Sequence, residues 1–348
     1  MAAPKINPQI PQTPGALLRM GCALMGSGEG AKAVALLEGL LDRSPDDAEL
    51  RAAARTILSH NVPRWHGAML RDERRNDAFE RVIQRAVRPD RRVLDIGTGS
   101  GLLAMMAARA GARSVVACEA HGALAVTARK IVAANGYGDV IEVLTRRSTE
   151  LDVKADLGGF ADVIVAEVFS DNLLGEGALS TLSHARAELA GESVQMIPAA
   201  ASIRVALAFH NEAPETPPLR VKGFDVSLFE RHVAPDASVR VGGSKLHLRS
   251  EAHDLFSFDF QAGGPFGGER AQVTLAAAGG SANGLVQWIR LQLDADTRYE
   301  NRPDPDAPSH WAAIFHPFPH EQSVPDGGKI VAHASHDTEH MQIWFSRP

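Results

Sequence analysis

The stretch Asp95-Ile96-Gly97-Thr98-Gly99-Ser100-Gly101 constrains this chain more than any other. It follows an apolar run, Val93 to Ile96, and precedes a helical one, Leu102 to Ala110, that stops at Gly111. Alternate glycines let the backbone turn sharply and approach a ligand closely, and the helix that follows offers its N-terminus to negative charge. The same alternation continues. Ser114 to Cys118 reads as a second strand, Ala123 to Asn135 as a second helix ended by Gly136, and Val140 to Leu144 and Ala161 to Ala166 as further strands. That order predicts a parallel sheet with helices on both faces. Glu119 closes the second strand, 18 residues after Gly101, where a carboxylate can accept both hydroxyls of a ribose. A tight turn without ligand and a dinucleotide site are the competing readings of the loop.

Different patterns flank this core. From Pro14 to Leu58 apolar residues recur at helical spacing, and Leu17, Gly21, Leu24, Ala33, Leu37 and Pro45 fall on the landmarks of one tetratricopeptide repeat. One repeat cannot bury its own apolar face, so it should dock on the core or on a partner. Residues 1–13 read as a loose Pro-rich lead-in. Beyond Pro198, segments such as Ser202–His210, Leu255–Phe260, Ala271–Ala277, Gly284–Leu293, Lys329–His333 and Gln342–Phe345 alternate and are separated by Gly/Pro/Asp turns. They predict an antiparallel sheet or β-barrel. The expected domains are a helical segment at 1–60, an α/β domain at 61–198 and a β-barrel domain at 199–348, with 211–250 as an excursion from the barrel.

Composition narrows the partners. With 348 residues, 45% hydrophobic and 22% charged, disorder and collagen-like structure are excluded for the chain as a whole. A formal charge of −6 provides no global field for nucleic acid or an anionic membrane. No apolar stretch approaches the roughly 20 residues that span a bilayer. The N-terminus has no basic region followed by an unbroken apolar one. Cys22 and Cys118 sit in apolar runs and read as small buried hydrophobes. The expectation is a cytoplasmic protein.

After the fourth strand stands Ala166-Glu167-Val168-Phe169-Ser170-Asp171-Asn172-Leu173-Leu174-Gly175-Glu176-Gly177. No Asn/Asp-Pro-Pro-aromatic loop, which would suit a base amine, is present there. Two glutamates instead bracket a Leu/Gly turn, and paired carboxylates suit a planar cation with five donors, a guanidinium. Upstream, His66, Met69, Leu70, Asp72 and Arg75 form a dense polar and apolar stretch that includes Arg64 and Trp65. Taken alone, Asp72 and Arg75 are a helix-surface pair. The histidines His310, His316, His320, His333, His336 and His340 have no Cys or carboxylate cluster to complete a metal site, so no metal is expected.

Together these motifs resemble the protein arginine N-methyltransferase family, from about Trp65 to the C-terminus. The glycine loop resembles the S-adenosylmethionine-binding core of Rossmann-like methyltransferases, with Asp95, Gly97, Gly99, Gly101 and Glu119 as cofactor residues. The family's double-glutamate loop corresponds to Glu167 and Glu176, its His-x-x-Met-Leu-x-Asp-x-x-Arg helix to His66 through Arg75, and its Thr-His-Trp loop to Ser309-His310-Trp311. The resemblance implies that Arg75 pairs with the cofactor's methionine carboxylate and that Met69 packs beside the sulfonium. It places Ser148 and Thr149 at the adenine, and assigns His66 and Trp311 to the substrate side. His310 would close the pocket and pair with Asp72. Leu173 to Leu179 and Gly223 to Ser227 most resemble the branch containing the monomethylating members.

The implied reaction is methyl transfer from S-adenosylmethionine, leaving S-adenosylhomocysteine, onto arginine in a protein or peptide. Free arginine or another small guanidino compound is the alternative, and a cofactor-binding scaffold is the non-enzyme one. The family pairs two modules through an arm. The stretch 211–250 could be that arm, and one module implies a homodimer. Serine stands at 309 where the motif has threonine, and whether the product is mono-, symmetric or asymmetric dimethylarginine stays open.

Overall fold

The computed structural model describes residues 14–60, 62, 65–213, 220–243 and 245–347. The lead-in at 1–13, Arg64 and part of the 211–250 stretch lie outside the described residues. The chain divides into two compact units. One holds the residues up to Ala68 with Ile83–Glu167 and Leu189–Ser193; the other holds Met69–Val82, Val168–Glu188 and the chain from Val194 on.

The first unit begins with helices α1 (Pro14–Gly26), α2 (Gly30–Leu41) and α3 (Ala48–Leu58). The Asp47 side chain caps α3 by accepting the Leu50 N–H at 2.9 Å. The apolar stripe that three short helices cannot bury among themselves closes on the core. Leu17, Met25, Val34, Leu37 and Ile57 share one cluster with Ala123 of helix α7 (Gly122–Ala134). The approach is close at Gly30, where a Cβ would meet the Ala123 nitrogen at 2.9 Å. A single set of helices docked in this way carries the tetratricopeptide-like landmarks but makes no stack of repeats among the described residues.

Helices α4 (His66–Leu70) and α5 (Glu73–Ala86) contribute residues to both units. The parallel sheet follows: β1 (Arg92–Ile96), helix α6 (Leu102–Arg109), β2 (Ser114–Cys118), α7, β3 (Ile141–Leu144) and β4 (Ala161–Ala166). After helix α8 (Ala178–His184), β5 (Ala190–Ile197) completes the order β3-β2-β1-β4-β5. Nearly every residue of β1, β2 and β4 is buried, as helices on both faces of a parallel sheet require. Register is the part that matters for a site. Ile96 pairs with Cys118 of β2 and with Ala166 of β4, so three central strands end at one level.

The second unit is antiparallel. Its strands are β6 (Ala200–His210), the short pair β7 (Arg220–Val221) and β8 (Phe224–Asp225), β9 (Ala237–Val239), β10 (Leu246–Leu248), β11 (His253–Asp259) and β12 (Glu269–Ala278). Then come β13 (Ser281–Gln292), β14 (Arg298–Glu300), β15 (Ala313–Ser323), β16 (Asp326–His336) and β17 (Met341–Ser346). One sheet runs β10-β6-β13-β15-β9, with β11 on β6 and β14 on β13, and a second runs β12-β16-β17. Central β6 and β13 are buried almost throughout, whereas β12 and β16 alternate, the expected contrast between interior and one-faced strands. The parallel-sheet domain followed by an antiparallel-sheet domain, as read from the sequence, therefore holds. Strand β15 carried no clear signal because Pro317 and Pro319 interrupt it. Both lie past Ala313–Phe315, the only residues that β9 pairs, so neither needs an N–H on that edge.

The close approach of α2 to α7 gives the first expectation. Gly30→Val drives two methyl groups toward Ala123 and destabilises the chain by about 1–3 kcal/mol, the usual cost of overpacking. Denaturant unfolding measures the loss, and limited proteolysis should then cut first within 14–60. An unchanged midpoint and cleavage pattern would show that the contact is not tight in solution.

Candidate active site

In the first unit, the shared level of three strand ends puts Gly97, Glu119 and Glu167 immediately beyond β1, β2 and β4. This is the carboxyl edge of the sheet, next to the point where strand order reverses, and ligands of such sheets bind there. Buried Asp95 pins the loop: its Oδ2 accepts from Thr98 Oγ1 at 2.6 Å and from the Ala104 N–H at 3.1 Å. Gly97, Gly99 and Gly101 all adopt positive φ. At Gly101 a Cβ would also stand 3.0 Å from Val132 Cγ2. Glu119 is oriented through both oxygens, Oε2 accepting from the Gly99 N–H at 3.0 Å and Oε1 from the His121 N–H at 2.8 Å. A carboxylate fixed beside a glycine cradle is a donor and acceptor set that fits the ribose of an adenosyl group. Ser148 is buried in a short 3-10 turn, Thr149 is exposed beside it, and His66 stacks on Trp65 at 4.1 Å.

The second unit assembles the remaining residues around one carboxylate. Asp72 Oδ1 accepts the Arg75 N–H at 2.9 Å. Its Oδ2 accepts the Tyr299 hydroxyl at 2.5 Å, the His310 N–H at 3.0 Å and the His310 ring Nδ1–H at 2.9 Å. Burial pushes the Asp72 carboxyl up, yet the bonds from His310, Tyr299 and the two backbone N–H groups outweigh it and hold the carboxyl well below the ordinary carboxylate range. The resemblance implied a pairing of Asp72 with His310, and the two are hydrogen-bonded here. Arg75 is 2% exposed, with its guanidinium 5.0 Å from the Phe79 ring and Nη1 donating to Asn76 Oδ1. Met69 is buried.

The Ser309-His310-Trp311 loop is held from several sides. Trp311 Nε1 donates to the Phe169 carbonyl at 3.0 Å, and the Ala312 N–H donates to Asp171 Oδ1 at 3.0 Å. Burial raises the Asp171 carboxyl. Asn301, fully buried, accepts the Ile289 N–H and donates to the Ala312 carbonyl at 2.9 Å. The neighbouring turn before α8 is built by Ser170 and Asn172, whose oxygens accept from the Leu174 and Gly175 N–H groups. It presents Glu176 with φ 62° and ψ 13°, a left-handed conformation that a side-chain-bearing residue seldom takes. Tyr299 and Asn301 had no motif to reveal them.

Of the remaining C-terminal histidines, His320 is exposed and the other four are engaged elsewhere. His316 lies by Gln287 Oε1, its imidazole lowered by burial to about 4. His333 contacts Ser346 Oγ and stacks on Trp344, His336 packs against Phe256, and exposed His340 sits by Asp337. Among the described residues no group of three His, Cys, Asp or Glu could hold a metal ion, and no helix is long and apolar enough to cross a membrane.

A reversing parallel sheet, a glycine cradle and an acidic residue closing the second strand are shared by Rossmann-like dinucleotide enzymes and S-adenosylmethionine-dependent methyltransferases, and the class is fixed as the latter by the relatives that follow. Comparisons with known proteins agree and go further. The model of the ribosomal protein L11 methyltransferase (PrmA) family matches residues 79–179. An arginine N(omega)-methyltransferase of Streptomyces achromogenes is 39% identical over 303 residues, covering 85% of this chain and 83% of that protein. Protein arginine N-methyltransferase 7 of Drosophila simulans is 29% identical over 80% of this chain, which spans 46% of the fly protein's length. A Trypanosoma brucei PRMT1 enzyme-prozyme complex with AdoHcy shares the fold, at TM-score 0.69 and 23% identity over 83% of this chain and 99% of that one. This chain belongs to the arginine N-methyltransferase family.

The strained Glu176 generates the second expectation. Glu176→Gly relieves a left-handed side-chain-bearing residue and raises stability by about 1 kcal/mol, and if this glutamate holds the acceptor, methyl transfer is lost with it. Thermal unfolding and a turnover assay on the same preparation test both halves. A lower melting temperature would mean that contacts of the glutamate outweigh its backbone strain.

Proposed function

We propose that the protein transfers a methyl group from S-adenosylmethionine to a guanidinium nitrogen of arginine in a protein or peptide. The observation that most supports this is the register that sets Gly97, Glu119 and Glu167 side by side at one sheet edge. A carboxylate able to grip a cation follows a strand adjacent to the cofactor-type loop.

Asp95 and the glycines shape the loop, Glu119 accepts the ribose hydroxyls, and Ser148 and Thr149 lie toward the adenine. Arg75 pairs with the methionine carboxylate, and Met69 packs near the sulfur. Bound there, S-adenosylmethionine supplies an electrophilic methyl group and departs as S-adenosylhomocysteine.

The acceptor is the harder partner. A guanidinium stays protonated at physiological pH, its pKa being roughly 13.8. Glu167 and Glu176 hold that cation and offset its charge. They polarise it so that one nitrogen keeps electron density for the new N–CH3 bond, whose formation returns the C–S electrons to sulfur. The nitrogen then gives up one N–H proton. His310, with Nδ1–H held by Asp72, can take it at Nε2. His66 and Trp311 border the acceptor. Both cysteines are free, in keeping with a cytoplasmic enzyme.

A second reading, free arginine as acceptor, is favoured by the Streptomyces relative, whose name specifies arginine rather than protein arginine. Incubation with methyl-labelled cofactor, free arginine, an Arg/Gly-rich peptide and a cell extract, read by mass spectrometry, separates the two. Label on peptide or extract arginine supports the first reading, and label confined to free arginine replaces it with the second. Glu176→Gln should lower kcat by about 100-fold to 1,000-fold, as loss of one preorganised electrostatic group does, with cofactor binding retained. Arg75→Ala should weaken cofactor binding about 10-fold to 100-fold. Normal turnover by the first variant or unchanged affinity in the second would remove that residue from its role.

We also propose a homodimer joined through the 211–250 arm. Phe224, Leu228 and Phe229 are 74%, 68% and 64% exposed there, an apolar group that a second copy would cover. Sedimentation should give twice the 37.2 kDa chain mass; a single-chain mass at micromolar concentration would overturn the dimer.

A further inference from the structure

We infer that Tyr299, backed by Ser309, is a positioning residue that fixes the Asp72–His310 pair for proton transfer. The inference deepens the proposed function and rests on its reading of His310 as the proton acceptor.

Tyr299 lies on the three-residue strand β14, where Leu291 of β13 pairs with it. It is 3% exposed, with its ring centroid 5.6 Å from that of Trp311. Its hydroxyl has a single proton and two neighbours, Asp72 Oδ2 at 2.5 Å and Ser309 Oγ at 2.8 Å. An ionised carboxylate can only accept, so the phenol donates to Asp72 and Ser309 donates to the phenol oxygen. Ser309 Oγ in turn accepts the Trp311 N–H at 3.2 Å. The donors therefore run one way, from Trp311 through Ser309 and Tyr299 to Asp72.

That direction has a consequence at the imidazole. A carboxylate with every near neighbour donating cannot offer a proton to His310, so Nδ1 must carry the hydrogen and the lone pair falls on Nε2. Nε2 is buried and has no hydrogen-bond partner among the described residues. Burial, then the bond to Asp72, raises the Tyr299 phenol above its ordinary value, so it remains a donor across the working pH range. The charged groups around the pair are Arg74, 5.8 Å from the Tyr299 ring, Arg75 through its backbone N–H, and Asp171, which senses His310. Removal of the phenol oxygen leaves Asp72 one donor fewer. Its proton affinity rises, and the rotation of Asp72 and of the imidazole it orients is freed.

The test is Tyr299→Phe, which keeps the ring packing and removes one oxygen. We expect kcat to fall about 10-fold to 100-fold, the equivalent of one hydrogen bond to a charged group. KM for the arginine acceptor and cofactor affinity should move less than about twofold, and the acidic limb of kcat against pH should shift upward. In a His310→Ala background Tyr299→Phe should cost nothing further, because the two act as one unit. Ser309→Ala should give a smaller loss in the same direction, and Ser309→Thr, which keeps the hydroxyl, should restore it; this pair carries the test if Tyr299→Phe fails to fold. An unchanged kcat and pH profile in Tyr299→Phe, or an equal loss with His310 absent, would overturn the positioning role. Wild-type turnover by His310→Ala would instead overturn the reading of His310 as proton acceptor.

Discussion

A carboxylate removed from water must be protonated, paired or supplied with donors, and Asp72 takes the last course. Four donors reach its two oxygens, from a helix backbone, a β14 phenol and both the backbone and the ring of His310. Burial alone would raise its proton affinity; the donors reverse that. Much of the second unit's loop geometry follows from this one group. The 299–312 segment has to return to residue 72, and Asn301, Ser309 and the Asp171–Ala312 contact hold it in place. Charge at Asp72 is therefore both a structural tie and the setting for His310.

The first unit reaches its site by a different constraint, strand register. Pairing fixes where β1, β2 and β4 end, and the residues that follow β1 and β2 still donate across it, the Gly97 N–H to the Cys118 carbonyl and the Glu119 N–H to the Leu144 carbonyl, each at 3.0 Å. Gly97 turns toward the helix N-terminus, while Glu119 and Glu167 carry acceptors. A shift of one strand by one residue would send those side chains to the opposite face of the sheet. Strands buried on both faces do not set register by alternation; buried Asp95, held by Thr98 Oγ1 and the Ala104 N–H, ties the end of β1 to its loop.

The parts legible in the sequence were those written in local spacing. Alternation of strand and helix, the Asp95–Gly101 loop and the Glu119 position follow from short-range rules that the parallel sheet obeys. Asp72, Arg75 and His310 were recognisable only through the family motifs they resemble, since spacing alone read the first two as a surface pair. Tyr299 was not, since its role depends on a contact 227 residues away in the chain and its strand is only Arg298–Glu300. Strand β15 was obscured by Pro317 and Pro319, both beyond the residues that β9 pairs, with Pro319 in the irregular stretch of the β13 ladder. The docking of the N-terminal helices was foreseeable as a need, but that α7 meets it, through Gly30 and Ala123, required the tertiary fold.

Glu176 shows where local rules and function part. Leu173 and Glu176 both adopt positive φ, at 73° and 62°, positions where glycine would be easier. Leu173 is fully buried, so packing of an apolar side chain offsets its backbone strain. Exposed Glu176 gains no such burial. The Ser170–Asn172 network and buried Leu173 and Leu174 hold the turn, and the turn in turn imposes the strained conformation on the glutamate. Backbone strain at an exposed residue without burial to offset it is the pattern of a position kept for something other than stability.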